Sequence, residues 1–495
     1  EQQITGGDIQ AYGVTVPGIP GIVIGFNRNV AWGMTNVSQD LVDWYHIDWA
    51  NAEKTRYRID GKEKAVEFQI DTIYIQGGNF VVDSIRWTDF GPIVYTNPED
   101  SQVDLAMKWL VHEKPVTAGL RTFFGLNAAE DFDDYYRATA DFETPPQNFV
   151  FAAKNGDIAM TVNGRFPIKA KEQGRFVQEG NNSNNGWKGF VSVEERPRIK
   201  NPAQGYVTSA NQRSTDTTYP YYYDGHFDDF RGRIANRLLT RMDSITLEDM
   251  MAMQNSNYSI MAEEALPLLL AKLDTTQLNA IQMGLAKILR DWRYQFNKDL
   301  SAPILFDECW QAFYELLWDE VKAKEAQGPM LYPEIWRTID FLAKDPLNVF
   351  WDIQATPERE TPEMVVTLAF KQMFEKVRPL LDELDYNWGK HWTIDINHMA
   401  NIPAFSVQNV QGGGYGEALN AIKKTSGPSW RMVVELGPEV HAYGIYPGGQ
   451  SGNPGSPFYD QMIADWAAGK YYELFFMQDE TDQRKPILQR VRFER

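Results

Sequence analysis

The hydrophobic pattern becomes helical over a long stretch from about residue 235 to 385 and strand-like again after it, and that stretch between strand-bearing ends restricts the fold more than any other feature. Up to about residue 100 short apolar runs are separated by turn residues, as strands require. Ile22-Val23-Ile24 and Val30-Ala31-Trp32 flank Asn27-Arg28-Asn29, which predicts a hairpin. Tyr57 to Ile59 followed by Asp60-Gly61 predicts a second. Phe68 to Ile75 alternates as a half-buried strand should. Residues 103–140 read as helical, with Leu120 to Tyr136 the stronger segment, and Phe149 to Ala152 and Ile158 to Val162 flank a turn at Asn155-Gly156-Asp157. From about 236 to 385 the period becomes helical. Thr246 and Asp249 have the spacing of a capping box, and Leu278, Ile281, Leu285, Ile288, Leu289 and Trp292 share one face, which reads as core packing. Strand signals return at Trp392-Thr393-Ile394 and Trp430 to Val434. Strands enclosing a helical insertion predict one discontinuous α+β domain, divided as 1–235, 236–385 and 386–495.

Composition narrows the function classes. The chain has 495 residues, 43% of them hydrophobic, enough for a large core. It carries 67 acidic against 48 basic residues, a net charge of -19. Such a surface repels phosphate backbones, so no nucleic-acid partner is expected. No stretch reaches the ~20 uninterrupted apolar residues of a membrane span. The single cysteine, Cys309, excludes an intramolecular disulfide and a cysteine zinc cluster, and reads as a small buried hydrophobe. The chain opens Glu1-Gln2-Gln3-Ile4, without an initiator Met or a signal-peptide pattern. Glu1 is therefore expected to be an internal residue of a longer gene product.

Three constellations could carry chemistry. Asp40 and Asp43, just after a strand and close to Asn36, have the spacing to share a hard cation, which takes six to eight oxygens, some of them main-chain. That spacing alone is common in so acidic a chain. The histidines at 46, 112, 226, 391, 398 and 441 show no helical zinc spacing. A Gly-x-Ser-x-Gly elbow is missing, since Gly449-Gln450-Ser451-Gly452-Asn453 ends in Asn. Lastly, Asn211 in Ser209-Ala210-Asn211-Gln212-Arg213 could donate its amide to an oxyanion, with Arg231 to hold it. Taken alone, Asn211 reads as a turn residue and Arg231 as a surface charge.

The run Pro20-Gly21-Ile22-Val23-Ile24-Gly25-Phe26-Asn27-Arg28-Asn29-Val30-Ala31-Trp32-Gly33-Met34-Thr35-Asn36, followed by Asp40 and Asp43, resembles the penicillin acylase (penicillin amidase) family. Trp187-Lys188-Gly189-Phe190, Asn201-Pro202, Ala210-Asn211, Arg231, Gly427-Pro428-Ser429-Trp430 and Gly449 to Pro454 follow in the family's order. The likeness covers the whole chain, and its last strands suggest a complete C-terminus. It implies an αββα sandwich made by autoproteolysis of one precursor into a small alpha chain and a large chain that starts with a Ser. The free amine of that Ser is its own base, its hydroxyl attacks an amide carbonyl, and an acyl-enzyme forms. No Ser opens this chain, so the nucleophile is expected upstream of Glu1, and this polypeptide by itself is expected to be inactive.

By position, the resemblance makes Asn36 a backbone N–H donor to the oxyanion and Asn211 its side-chain donor. Arg231 would orient Asn211 and add positive potential. Asp40, the carbonyl of Val42, Asp43, the carbonyl of Pro167 and Asp224 match the positions of one structural calcium, with a further ligand from the small chain. Ile24 stands where some members place an aromatic side chain in the acyl pocket, so aromatic and aliphatic acyl groups both stay open. Phe90 stands where many members carry His.

The leading expectation is thus an exported amidohydrolase, periplasmic or extracellular, acting on an N-acyl small molecule of the β-lactam or acyl-homoserine lactone type. A non-catalytic, calcium-stabilised binding protein on the same fold is the alternative. A glycoside hydrolase, suggested by acidity and 15 Trp, would need two carboxylates facing across a groove.

Overall fold

The computed structural model describes residues 1–97, 103–114, 119–227, 229–328, 330–381, 386–479 and 481–493. They form two compact units, one of Glu1–Asp229 with Leu436–Glu439 and one of Phe230–Glu435 with Val440–Arg495.

In the first unit a seven-stranded antiparallel sheet runs in the order Gln2–Gly6, Ile9–Val14, Ile24–Phe26, Val30–Asn36, Gln147–Ala153, Ile158–Asn163, Arg198–Lys200. Parity explains its two faces. Val30, Trp32, Phe149 and Phe151 are buried against the helices Arg121–Ala128 and Phe132–Ala140, through Phe123, Leu126 and Tyr135. Each such side chain contributes about 1.5–3 kcal/mol of burial. Thr35 and Asn148, cross-strand partners, have the opposite parity and so lie on the sheet's other face. Gly13 and Gly25 pair directly, and a Cβ on Gly25 would stand 2.1 Å from the Tyr12 carbonyl oxygen, so only glycine fits there.

A second, six-stranded sheet runs Gln178–Glu179, Val42–His46, Asp104–Trp109, Gly91–Thr96, Phe80–Thr88, Glu67–Tyr74. Two expectations change here. Asp104–Trp109 is a strand rather than the start of a helix, because it finds ladders on both sides, with Val42–His46 and with Gly91–Thr96. Glu67–Tyr74 is a strand, but every residue of it is exposed within the unit. Alternation signals a pleat, while burial needs a facing layer, and among the described residues this strand pairs only along Phe80–Thr88. The predicted Asp60-Gly61 hairpin is present, with Ile59 opposite Lys62 and both turn residues at positive φ. Phe90 is buried with its ring stacked on Tyr45.

The second unit is mainly helical from Phe230 to His391. The capping box at Thr246 and Asp249 forms in both directions. The helices Ala302–Leu317 and Pro362–Val377 pack together and share one core, with Phe306, Phe313, Val366 and Phe370 buried in it. In Ala280–Asp291 the predicted stripe is only partly core: Leu285 and Leu289 are buried, whereas Ile281 and Ile288 face out. Cys309 is buried and free, and burial pushes its thiol up to about 12.

Asp307 is buried in the same core and accepts a hydrogen bond from the Tyr415 hydroxyl at 2.8 Å. Burial raises its pKa, the neighbouring Glu308 adds to the rise, and Tyr415, His391 and Lys424 oppose it. A carboxyl whose pKa is higher folded than unfolded stabilises below the unfolded value, and that contribution is lost as pH rises through the folded value. Asp307→Asn fixes the uncharged form. We expect its Tm to exceed the wild type's increasingly as pH rises from 4 to 8, by about 2–4 °C per kcal/mol of relieved burial cost. Parallel melting curves for the two proteins across that range would refute a protonation-linked cost at Asp307.

Candidate active site

The first unit brings together two residues singled out in the sequence. Asn36 ends the strand Val30–Asn36, and its carbonyl accepts a hydrogen bond from the Asn211 side-chain amide at 2.9 Å. Asn211 lies at φ +67, a left-handed conformation that Asn tolerates better than other residues with a Cβ.

The turn that carries Asn211 is held from several directions. Gln212 folds back on it, accepting from the Ala210 N–H at 2.6 Å and donating to the Thr208 carbonyl at 3.0 Å. The hydroxyls of Ser209 and Thr35 meet at 2.5 Å. Buried Asn148 donates to Thr35 at 3.1 Å and accepts from the Ser214 hydroxyl at 2.7 Å. A polar ladder therefore ties both ends of the 209–214 turn to the cross-strand pair Thr35 and Asn148. The sequence signal for Asn148 was its parity: it stands opposite to the aromatic Phe149 and Phe151, on the face away from the helices.

Another missed residue, Asn127, fixes the segment leading into Ile24. It is buried, and its side chain accepts from the Ile22 N–H at 2.7 Å and donates to the Ile22 carbonyl at 2.8 Å, as a neighbouring strand would. Ile24 itself begins the strand Ile24–Phe26 and is half-buried. A cleft of about 480 Å³ lies alongside, with Ile4, Ile9, Val16, Ile19, Phe124 and Asn127 in its walls. Ile24 is not one of them. Arg231 stands in the first turn of the helix Phe230–Leu239, in the second unit.

The residues matched to calcium are partly gathered. Asp40 donates its N–H to the Asp224 carbonyl at 2.9 Å. Val42 and Asp43 open the strand Val42–His46, and Pro167 forms a bridge to Phe190. The carboxylates, however, are already engaged by cations. The Lys169 ammonium lies 2.7 Å from Asp43 and 3.0 Å from Asp40. Arg175 holds the Asp224 carboxylate at 2.7 Å, and the Tyr222 hydroxyl adds a bond at 2.6 Å, so that the Asp224 pKa falls despite its burial. Among the described residues no three His, Cys, Asp or Glu side chains gather as a metal cluster. This residue set does not fit the calcium ion that the resemblance implies.

Likeness to known structures defines the class. The structure of a thermostable penicillin G acylase from Alcaligenes faecalis superposes with a TM-score of 0.76 at 16% identity, covering 100% of this chain and 94% of that one. The fold is that of the N-terminal-nucleophile hydrolases, with helices and sheets mixed. More narrowly, the chain belongs to the penicillin amidase family, whose profile matches residues 1–483. It is 26% identical to the acyl-homoserine lactone acylase QuiP of Pseudomonas aeruginosa, over 97% of this chain and 63% of that protein. It is 23% identical to the penicillin acylase 2 proenzyme of Pseudomonas sp. strain SE83, over 92% of this chain and 60% of that protein. The chain thus spans about 60% of the length of these curated relatives. Among the described residues no helix is long and apolar enough to cross a membrane.

Proposed function

We propose that the whole protein is an amidohydrolase that removes the acyl group from an N-acyl small molecule, of the acyl-homoserine lactone or β-lactam type. The observation that carries this reading is the Asn211 amide fixed 2.9 Å from the Asn36 carbonyl on a turn tied down at both ends. A primary amide has two N–H donors. The bond to Asn36 restrains the plane of the amide. That is what an oxyanion donor needs, since preorganised dipoles cost nothing to reorient during reaction.

In the proposed reaction a Ser at the start of the large chain, upstream of Glu1, attacks the amide carbonyl. Its α-amine takes the hydroxyl proton through a water. The tetrahedral oxyanion receives hydrogen bonds from the Asn211 side chain and the Asn36 backbone N–H. The amine leaves with a proton, and water then releases the acid from the acyl-enzyme. Arg231 is proposed to orient Asn211 and to supply positive potential. Autoproteolysis of a precursor would generate the Ser and a small alpha chain that completes the pocket, and export to the periplasm or beyond would follow from the family pattern. Names of relatives support both substrate types; the aliphatic Ile24 leaves room for either an aliphatic or an aromatic acyl group.

The test is expression from the complete gene, intact-mass spectrometry, and chromatography of the amine released from an N-acyl-homoserine lactone and from a penicillin. Two chains, the larger starting with Ser, and release of free amine are expected. A single unprocessed chain with no turnover of either compound would overturn the proposal and favour a binding protein on the acylase fold.

A further inference from the structure

We infer that this protein replaces the family's calcium with an ammonium of its own, and is stable without the metal. The inference is independent of the substrate and of the acyl chemistry. It starts from Asp43, which is fully buried, and Asp40, which is partly so. Two like charges this close in a protein interior need a cation between them. Lys169 supplies it: its side chain is 5% exposed, and its Nζ donates to Asp43 Oδ1 at 2.7 Å and to Asp40 Oδ2 at 3.0 Å.

The remaining oxygen of Asp43 is also satisfied. Trp187 Nε1 donates to Oδ2 at 2.7 Å, Gln173 Nε2 at 3.2 Å and the Tyr45 hydroxyl at 3.3 Å. Calcium needs six to eight oxygens at 2.3–2.6 Å; here the carboxylate faces nitrogen and hydroxyl donors instead.

Backbone packing closes the same space. Gly174 sits at φ +96, and a Cβ there would lie 2.4 Å from Asp43 Oδ1, 2.6 Å from Asp40 Oδ2 and 3.2 Å from Lys169 Nζ. The main chain thus presses directly on the ion pair. Lys169, Gln173, Gly174 and Arg175 belong to one short segment. That segment is folded on itself by reciprocal bonds between Ala170 and Gln173, at 2.8 and 3.1 Å. One end of it neutralises Asp40 and Asp43, and the other holds Asp224 through Arg175. A single clasp of the chain does what a bound ion would do: it ties the Asp40–Asp43 region to the segment at Asp224.

The experiment uses the whole purified protein. Metal content is measured by mass spectrometry, and melting is followed in EDTA and in millimolar calcium chloride. Less than about 0.1 calcium per protein molecule and the same Tm in both solutions are expected. About one calcium per molecule, or a Tm that drops in EDTA, would overturn the inference. Lys169→Met keeps the length of the side chain and removes its charge, and should lower Tm by about 10 °C. An unchanged Tm in that variant would also refute it. If Lys169→Met does not fold, the metal content and EDTA melts of the wild type still decide.

Discussion

Under the proposed mechanism, replacing Asn211 with glycine in the whole protein is expected to lower kcat on the order of 10²–10³-fold, or about 2.7–4 kcal/mol of transition-state stabilisation. KM should change little, because the oxyanion exists only after attack and its donor does not hold the ground-state amide equally well. Glycine is the informative replacement. At φ +67 an alanine would add strain of roughly 1 kcal/mol, and lost activity could then be blamed on the backbone. Glycine removes the amide and relieves that conformation. The ties through Gln212, Ser209 and Ser214 do not involve the Asn211 side chain, so the turn should persist. Steady-state kinetics on an N-acyl-homoserine lactone, with melting as a control for folding, provide the readout. A loss below tenfold in kcat for a well-folded Asn211→Gly protein would remove Asn211 from the chemistry.

The sequence made Asn36 and Asn211 visible through family position, and the fold then placed one on the other. What it could not show was the support. Thr35, Asn148, Ser209 and Ser214 are ordinary strand and loop residues, and their ladder exists only once the strand pairing and the turn at 209–214 are both formed. Parity placed Asn148 on the face away from the helices, but not its partners. Secondary structure was legible where local chemistry dictates it: Asp60-Gly61 for a two-residue hairpin, Thr246 with Asp249 for a helix start. It failed at Asp104–Trp109, where two flanking strands decide the conformation, and it overstated the burial of Glu67–Tyr74, where no facing layer is given by the pattern. The calcium positions illustrate a further limit. Asp40 and Asp43 match residue for residue, yet Lys169, one of 48 basic residues, changes what they hold. A motif records ligand types and does not record a cation that arrives from another segment.

The same logic identifies a stability determinant remote from the chemistry. Asp104 is almost wholly buried in the strand Asp104–Trp109 and collects the Lys54 ammonium at 2.6 Å, the Trp49 indole N–H at 2.7 Å and the Thr96 hydroxyl. Lys54 is itself mostly buried and sits at φ +53, a backbone region that costs a residue with a Cβ roughly 1 kcal/mol. Asp104→Ala removes the carboxylate that this ammonium and the indole N–H share. We expect a loss of about 3–5 kcal/mol, read as a fall in Tm of about 10 °C. Bonds from Lys54, Thr96 and Trp49 outweigh desolvation and hold the Asp104 pKa below its usual value. Its contribution is therefore fully present above the unfolded pKa near 3.8 and is lost as pH falls through the folded value. Wild-type and Asp104→Ala melting curves should converge in acid. The double variant Asp104→Ala with Lys54→Met tests the cause: with both charges gone, nothing charged is left buried, and most of the lost Tm should return. A double variant no more stable than Asp104→Ala would show that the strand geometry, rather than the loss of the carboxylate from beside a mostly buried ammonium, sets the cost.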